Sequence, residues 1–293
     1  MNPPVAEFHP RLARRKVLGG VFAIACQATT WLGVLVLLVL IARVVYEGWP
    51  FLTWHFLNSF PSQISPETSG IKSALFGTLW LIALTAVVCV PVGVGAATYL
   101  QEFAPRTRLT SLIEVNIANL AGVPSVVYGL LGLAIFVRWL RLGPSILAGA
   151  LTMSLVVLPV VIIASREALV AVPSSIRAAA FALGATRWQT VRSHVLTSAL
   201  PGMMTGVILA LSRAIGEAAP LIIVGGAAFV RFVPSGPLDN FTVLPLQIYS
   251  WSEQPGSEFA RLAAAAIIVL LAVLVPMNAV AIGVRAWQQG KRN

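Results

Sequence analysis

Six apolar runs, at positions 17–45, 74–100, 112–140, 146–164, 202–230 and 262–287, occupy most of this 293-residue chain. A hydrocarbon slab about 30 Å thick is crossed by roughly 20 apolar residues in a helix that rises about 1.5 Å per residue. Each run meets that length, so the chain reads as an all-α polytopic membrane protein with six transmembrane helices. Composition closes off a soluble fold: 58% of the residues are hydrophobic and only 10% charged, with a mean hydropathy of +0.87, where a soluble domain carries about 25% charged residues. No length remains for a separate soluble catalytic domain.

The first run follows Arg11, Arg14, Arg15 and Lys16, a flank that a secretory signal also carries. The run is far longer than the roughly 7–15 residues of a signal core, so it is read as an uncleaved first helix. Six crossings return both termini to one side, and Lys and Arg in short flanking loops mark that side as cytoplasmic. Thirteen of them (Arg11, Arg14, Arg15, Lys16, Arg106, Arg108, Arg166, Arg177, Arg187, Arg192, Arg285, Lys291 and Arg292) fall on the side of the termini. Six fall on the other (Arg43, Lys72, Arg138, Arg141, Arg231 and Arg261), and Arg213 lies within a run. The net charge of +10 is therefore topology charge facing membrane lipid, and nucleic acid is not an expected partner.

The two long outer connections, 47–72 and 231–261, are rich in Pro, Ser and Trp, with Trp49, Trp54 and Trp251 suited to the membrane interface. The segment 165–200 is the one sizeable connection expected in the cytoplasm. Prolines stand near the middle of the last five runs, at Pro91, Pro124, Pro159, Pro220 and Pro276. Each removes a backbone hydrogen bond and can kink its helix, which points to a bundle bent around a central path. Gly93, Gly95, Gly122, Gly129 and Gly132 would let helices approach closely.

The chemistry concentrates in two places. In the fifth run, SRAIGEAAP carries Arg213 and Glu217, four residues apart and hence on one face of a helix. A charge at the bilayer centre costs at least about 2.5 kcal/mol, so both are expected to face the bundle interior or a wet cavity. Two readings stand: a self-neutralising structural pair, or a substrate site in which arginine grips an oxyanion bidentately. In the third run, NIANLAGVPSVVYGL supplies Asn116, Asn119, Ser125 and Tyr128, with Gly122 and Pro124 able to open the backbone toward a ligand. Interhelical hydrogen bonding explains those side chains equally.

No catalytic or metal constellation is expected. His9, His55 and His194 stand apart without neighbouring carboxylate ligands, and Cys26 and Cys89 lie inside apolar runs. No phosphate-binding loop of the Walker type is present, so a transporter built on this chain takes its energy from a partner or an ion gradient.

From Arg177 to Gly202 the chain reads RAAAFALGATRWQTVRSHVLTSALPG, which resembles the EAA loop of ABC importer permeases. Ala178, Ala179 and Ala180 stand at the Glu-Ala-Ala triplet, Gly184 at its glycine and Leu196 at its leucine, while Ala178, His194 and Thr197 depart from the pattern. VPSVVYGL at 123–130, ALGATRW at 182–188 and SRAIGEAAPL at 212–221 are similar to the phosphate-specific (Pst) ABC importer family, in particular its A-type permeases. That resemblance implies a type I, MetI-like fold over residues 73–287, preceded by a cytoplasmic segment at 1–16 and a first helix with its outer loop at 17–72. A cytoplasmic tail at 288–293 would follow.

It further implies a second, C-type homologous permease, two ATPase subunits that bind the ATP, and a periplasmic or extracellular phosphate-binding protein. The chain itself would be a non-enzymatic permease of the bacterial inner membrane, without a cofactor, importing phosphate. The coupling loop would engage the ATPase through Ile176, Ala179, Ala180, Phe181, Leu183, Gly184 and Trp188. A permease for another oxyanion, a secondary anion transporter and a polytopic enzyme acting on lipid remain as alternatives. The last would need an interfacial His, Asp or Ser cluster.

Overall fold

In a computed structural model of the chain, residues 12–226 and 229–290 are described. His9, Arg11, Lys291 and Arg292, with most of the 1–16 segment and the end of the 288–293 tail, lie outside the described residues. The helices in chain order are α1 (Leu12–Gly48), α2 (Trp54–Asn58), α3 (Lys72–Thr98), α4 (Arg108–Ala121), α5 (Ser125–Gly132) and α6 (Ile146–Val170). They continue as α7 (Ser174–Ala182), α8 (Arg187–Thr190), α9 (Leu196–Ile215), α10 (Ala219–Val224), α11 (Leu244–Glu253) and α12 (Ser257–Gly290). Among the described residues no strand forms, and the one bridge joins Ser145 and Asn240.

The apolar runs become helices because a chain in lipid must close its backbone donors and acceptors on itself. Polar caps set several starts: Thr107, Ser145 and Thr186 each accept a hydrogen bond from a backbone N–H of the first turn of α4, α6 and α8. Among the described residues five helices are long and apolar enough to cross a membrane, including the continuous rod Arg187–Ile215 that α8 and α9 share. Arg108–Ala121 and Ser125–Trp139, that is α4 and α5 with the π-helical turns that prolong it, pass the same test only together and meet at 101°; taken as one span they make the sixth crossing.

Three apolar clusters follow one another along α3. The first joins Phe56, Ala74, Leu244, Trp251 and Leu262; the second Leu81, Cys89, Met153, Val157 and Leu211; the third Ala97, Leu169, Val195 and Met203. Helix α6 is the centre of the molecule, packed against α3, α4, α5, α9 and α10, whereas α1 packs chiefly against α12.

The structure corrects the sequence reading at several points. The third run is two helices meeting at a sharp corner over 122–124, because Gly122 ends α4 and Pro124 caps the start of α5. In the fifth run α9 stops at Ile215 and a new short helix begins at Ala219, so Arg213 is in a last turn rather than mid-helix. Of these five prolines, Pro91, Pro159 and Pro276 lie inside continuous helices, whereas Pro124 and Pro220 sit at a restart. Gly93 packs on Val161, Gly129 on Pro220 and Gly132 on Thr152, but Gly95 has open space around it and Gly122 faces only its own helix. Trp251 is buried against Phe56 instead of lying at an interface, while Trp49 and Trp54 are exposed.

Candidate functional site

The two interrupted crossings meet at a cavity of about 330 Å³. Its walls are the corner 120–125 and Tyr128, the face of α6 at Val156, Val157 and Val160, and the end of α9 with Ala210, Arg213, Ala214 and Glu217. A helix that begins leaves amides without partners in its own turns, and α5 begins in this wall, while at the end of α9 the carbonyls of Arg213 and Ala214 take the amides of Gly216 and Glu217. The corner is braced from within: the Tyr128 hydroxyl donates to the carbonyl of Leu120 across the break, at 2.8 Å. Behind it, α5 and α10 lie in backbone contact, since a Cβ on Gly129 would come within 2.8 Å of Pro220 Cα.

Arg213 and Glu217 both line this cavity, but not as neighbours on one helical face. Glu217 stands beyond the end of α9, where its amide bonds to the carbonyl of Ala214, and its carboxylate is 3.8 Å from Arg213 Nε. The Arg213 side chain is 69% exposed and Glu217 23%. A guanidinium so open, held by one long contact, keeps most of its donor fork available. Ser212, next to it, donates to Asn278 Oδ1 of α12 at 2.7 Å, fixing the last turn of α9. Sequence reasoning misses Asn278, whose one signal is an isolated amide in the sixth run.

Of the third-run residues, the structure brings Ser125 and Tyr128 to the cavity and leaves Asn116 and Asn119 outside it. Those two are exposed on α4, and the Asn116 amide donates to Leu112 O within its own helix.

The segment between α6 and α9 forms a separate surface. Helix α7 ends in a turn at Gly184, whose φ of +83° lies in the left-handed region that favours glycine, and Thr186 starts α8 with a capping box closed by Gln189. Phe181, Leu183 and Trp188 are exposed, with Leu183 at 89%, and Ala179 and Gly184 share that outward side. Two candidate docking residues point the other way: Ile176 packs on the apolar cluster of Leu169 and Val195, and Ala180 is buried. Helical periodicity explains the split, because residues four apart share a face. Among the described residues no group of His, Cys, Asp and Glu is gathered for a metal ion.

The architecture is thus one of bent crossings around a cavity that holds Arg213, Glu217, Ser125 and Tyr128, with a structured segment between α6 and α9. Solved structures share it: a bacterial alginate ABC transporter has a chain that superimposes with a TM-score of 0.64 at 16% identity, covering 93% of this chain and 96% of that one. The MetNI methionine ABC transporter, in an inward-facing form, gives 0.55 at 18% identity over 71% and 94%. The fold is thus that of the MetI-like, type I ABC importer permeases. Residues 89–289 match the binding-protein-dependent transport system inner membrane components, and the chain belongs to that family. It is a multi-pass inner-membrane component of a transport system, not an ATPase.

Curated relatives extend the match toward the N-terminus. The chain is 33% identical over 283 residues to phosphate transport system permease protein PstA 1 of Mycobacterium tuberculosis H37Rv, covering 91% of this chain and 87% of that one. It is 30% identical over 271 residues to PstA of Pasteurella multocida, covering 92% and 93%. A probable ABC transporter permease protein of Bacillus subtilis, YqgI, is 30% identical over 268 residues, covering 87% and 91%.

Proposed function

We propose that this chain is the A-type permease of an ATP-driven importer of inorganic phosphate. A C-type homologous permease would complete the pathway, two ATPase subunits would bind and hydrolyse the ATP, and a phosphate-binding protein would deliver substrate from outside. The observation that carries the reading is the cavity of about 330 Å³ with an open guanidinium, Arg213, at the meeting of two broken crossings. The phosphate transport relatives support the choice of oxyanion.

In this reading Arg213 offers a paired donor fork to a phosphate oxygen edge. Glu217 holds that fork at rest and yields it when the anion enters. The start of α5 at Pro124 and Ser125 adds the positive end of a helix dipole to the same wall, and the valines of α6 limit water there. Asn116 and Asn119 stand on the exposed side of α4, where the second permease would add its half of the path. Both termini lie in the cytoplasm, with residues 165–200 as the coupling loop of a transport domain at 73–287, after the first helix and outer loop of 17–72. Phe181, Leu183, Trp188, Ala179 and Gly184 form the surface presented to the ATPase, which Ile176 and Ala180 seat on the membrane helices. The chain binds no cofactor of its own.

The test is phosphate uptake by cells or proteoliposomes carrying the full complex. Arg213→Gln should lower uptake about 10- to 100-fold, the effect of losing one charge-assisted hydrogen bond worth about 1.5–3 kcal/mol, with the ATPase still attached. Adding Glu217→Gln removes the stranded carboxylate. An anion-binding arginine leaves uptake lost in the double variant, while uptake near wild type at equal expression would overturn its role. Uptake of another oxyanion in preference to phosphate would replace the substrate, and a chain that purifies free of any ATPase would overturn the importer reading.

A further inference from the structure

Outside the cavity walls, an ionic frame binds α7 to the ends of α3 and α6 and binds α6 in turn to α4. Helix α3 finishes in a π-helical turn, Tyr99–Phe103. Neighbouring residues in a helix face different ways, and this turn aims Gln101 at one arginine and Glu102 at another. Arg177 of α7 grips Glu102 with both forks, Nε to Oε2 at 3.2 Å and Nη2 to Oε1 at 2.6 Å. The same guanidinium caps the end of α6, donating to the carbonyls of Leu169 at 3.1 Å and Val172 at 2.9 Å. Its side chain is 23% exposed and that of Glu102 only 9%. Arg166 of α6 makes the second joint, pairing with Glu114 of α4 at 2.9 Å and donating to Gln101 at 3.3 Å.

A buried ion pair is weak evidence for stability, because apolar residues of similar volume do as well. What a bidentate pair with two further carbonyl bonds does supply is a fixed angle between the elements it joins. Here the joined elements run in sequence: α7 to α3 and α6 through Arg177, then α3 and α6 to α4 through Arg166. Helix α4 ends at Gly122, in the cavity wall.

We propose that Arg177 with Glu102, and Arg166 with Glu114, form a rigid linkage that carries displacement of α7 to α4 and so to the cavity. They are positioning residues that tie ATP hydrolysis to movement of the substrate. The inference rests on the permease reading above and adds to it the route by which the stroke reaches the site.

The experiment uses the whole complex in proteoliposomes with its binding protein, measuring inorganic phosphate taken up and ATP hydrolysed in the same preparation. Glu102→Gln keeps shape and removes the charge, and Arg177→Lys keeps the charge and removes the fork. Each should leave hydrolysis within about twofold while phosphate moved per ATP falls about tenfold, the size of coupling that networks of this kind carry. Arg166→Gln, at the more exposed joint, should lower the same ratio about threefold; it decides the matter should the inner variants fail to assemble. A structural role would reduce uptake and hydrolysis together, so an unchanged ratio overturns the linkage. Wild-type uptake that needs no ATP would instead overturn the permease reading, and the linkage with it.

Discussion

Helices α3 and α6 and the pairs α4/α5 and α9/α10 all come from apolar runs with a proline inside, yet the first two are continuous and the second two are broken. Pro91, Pro159, Pro201 and Pro276 each cost their helix a hydrogen bond and leave it intact. At both breaks a glycine precedes the proline, Gly122 before Pro124 and Gly216 before Pro220, and it is the residue that ends the first helix. No glycine stands within four residues ahead of the other four prolines. A proline alone bends a membrane helix; a weak C-terminal residue followed by a proline, well placed in a first turn, ends one helix and starts another. The continuous helices make the frame and the broken ones make the cavity.

The contrast is most exposed to attack where the two restarts touch. Gly129→Val drives a side chain into the backbone of Pro220, and overpacking of that kind costs about 1–3 kcal/mol. The detergent-solubilised complex should lose that much thermal stability and most of its phosphate uptake. Gly95→Val, in α3 with open space around it, should change stability by less than about 0.5 kcal/mol; equal effects at the two glycines would erase the distinction between frame and cavity.

A smaller effect is expected from Tyr128→Phe, which removes the brace across the α4/α5 corner and leaves Leu120 O without that donor. The loss is about 1 kcal/mol, read as a several-fold drop in uptake with assembly unchanged. Wild-type uptake in that variant would show that the corner holds its angle without the hydroxyl.

The smallest is a pH effect confined to the frame. Asp239 accepts bonds from the amides of Ser235 and Gly236 and the Ser235 hydroxyl, which hold its carboxyl below the usual carboxylate range. The carbonyls of Asp239 and Pro237 in turn take the first amides of α6, Ile146 and Leu147. A lowered native pKa stabilises the loop above the ordinary carboxylate pKa, and that support is lost as pH falls through the lowered value. Hydrogen exchange at Ser235 and Gly236 should be slower in wild type than in Asp239→Asn at neutral pH. The difference should vanish in acid, while uptake is unaffected by the substitution at neutral pH.

The six crossings were legible because apolar length needs no tertiary context. The corner at Gly122 was half legible: its glycine and proline stood out, but so did prolines whose helices survive, and the distinction lies in their order. Arg213 and Glu217 were visible as charges in an apolar run, whereas their separation by a helix end was not, since periodicity presumes an unbroken helix. Asn116 and Asn119 looked equivalent to Ser125 and Tyr128 until the 101° bend put them on a different helix. Trp251 and Ile176 were misplaced for one shared reason: an apolar side chain in a connecting segment carries no mark of whether it turns toward lipid, a partner or its own core.

Helix α1 has 37 residues and therefore runs about 55 Å, against a hydrocarbon thickness of about 30 Å. It fits only by leaning or by projecting past the headgroups. Its anchorage is narrow: at Gly48 its end lies so close to α12 that a Cβ would come within 2.6 Å of Ala265 N. The support of this long arm is the helix that also carries Asn278, so a load placed on α1 passes first to α12.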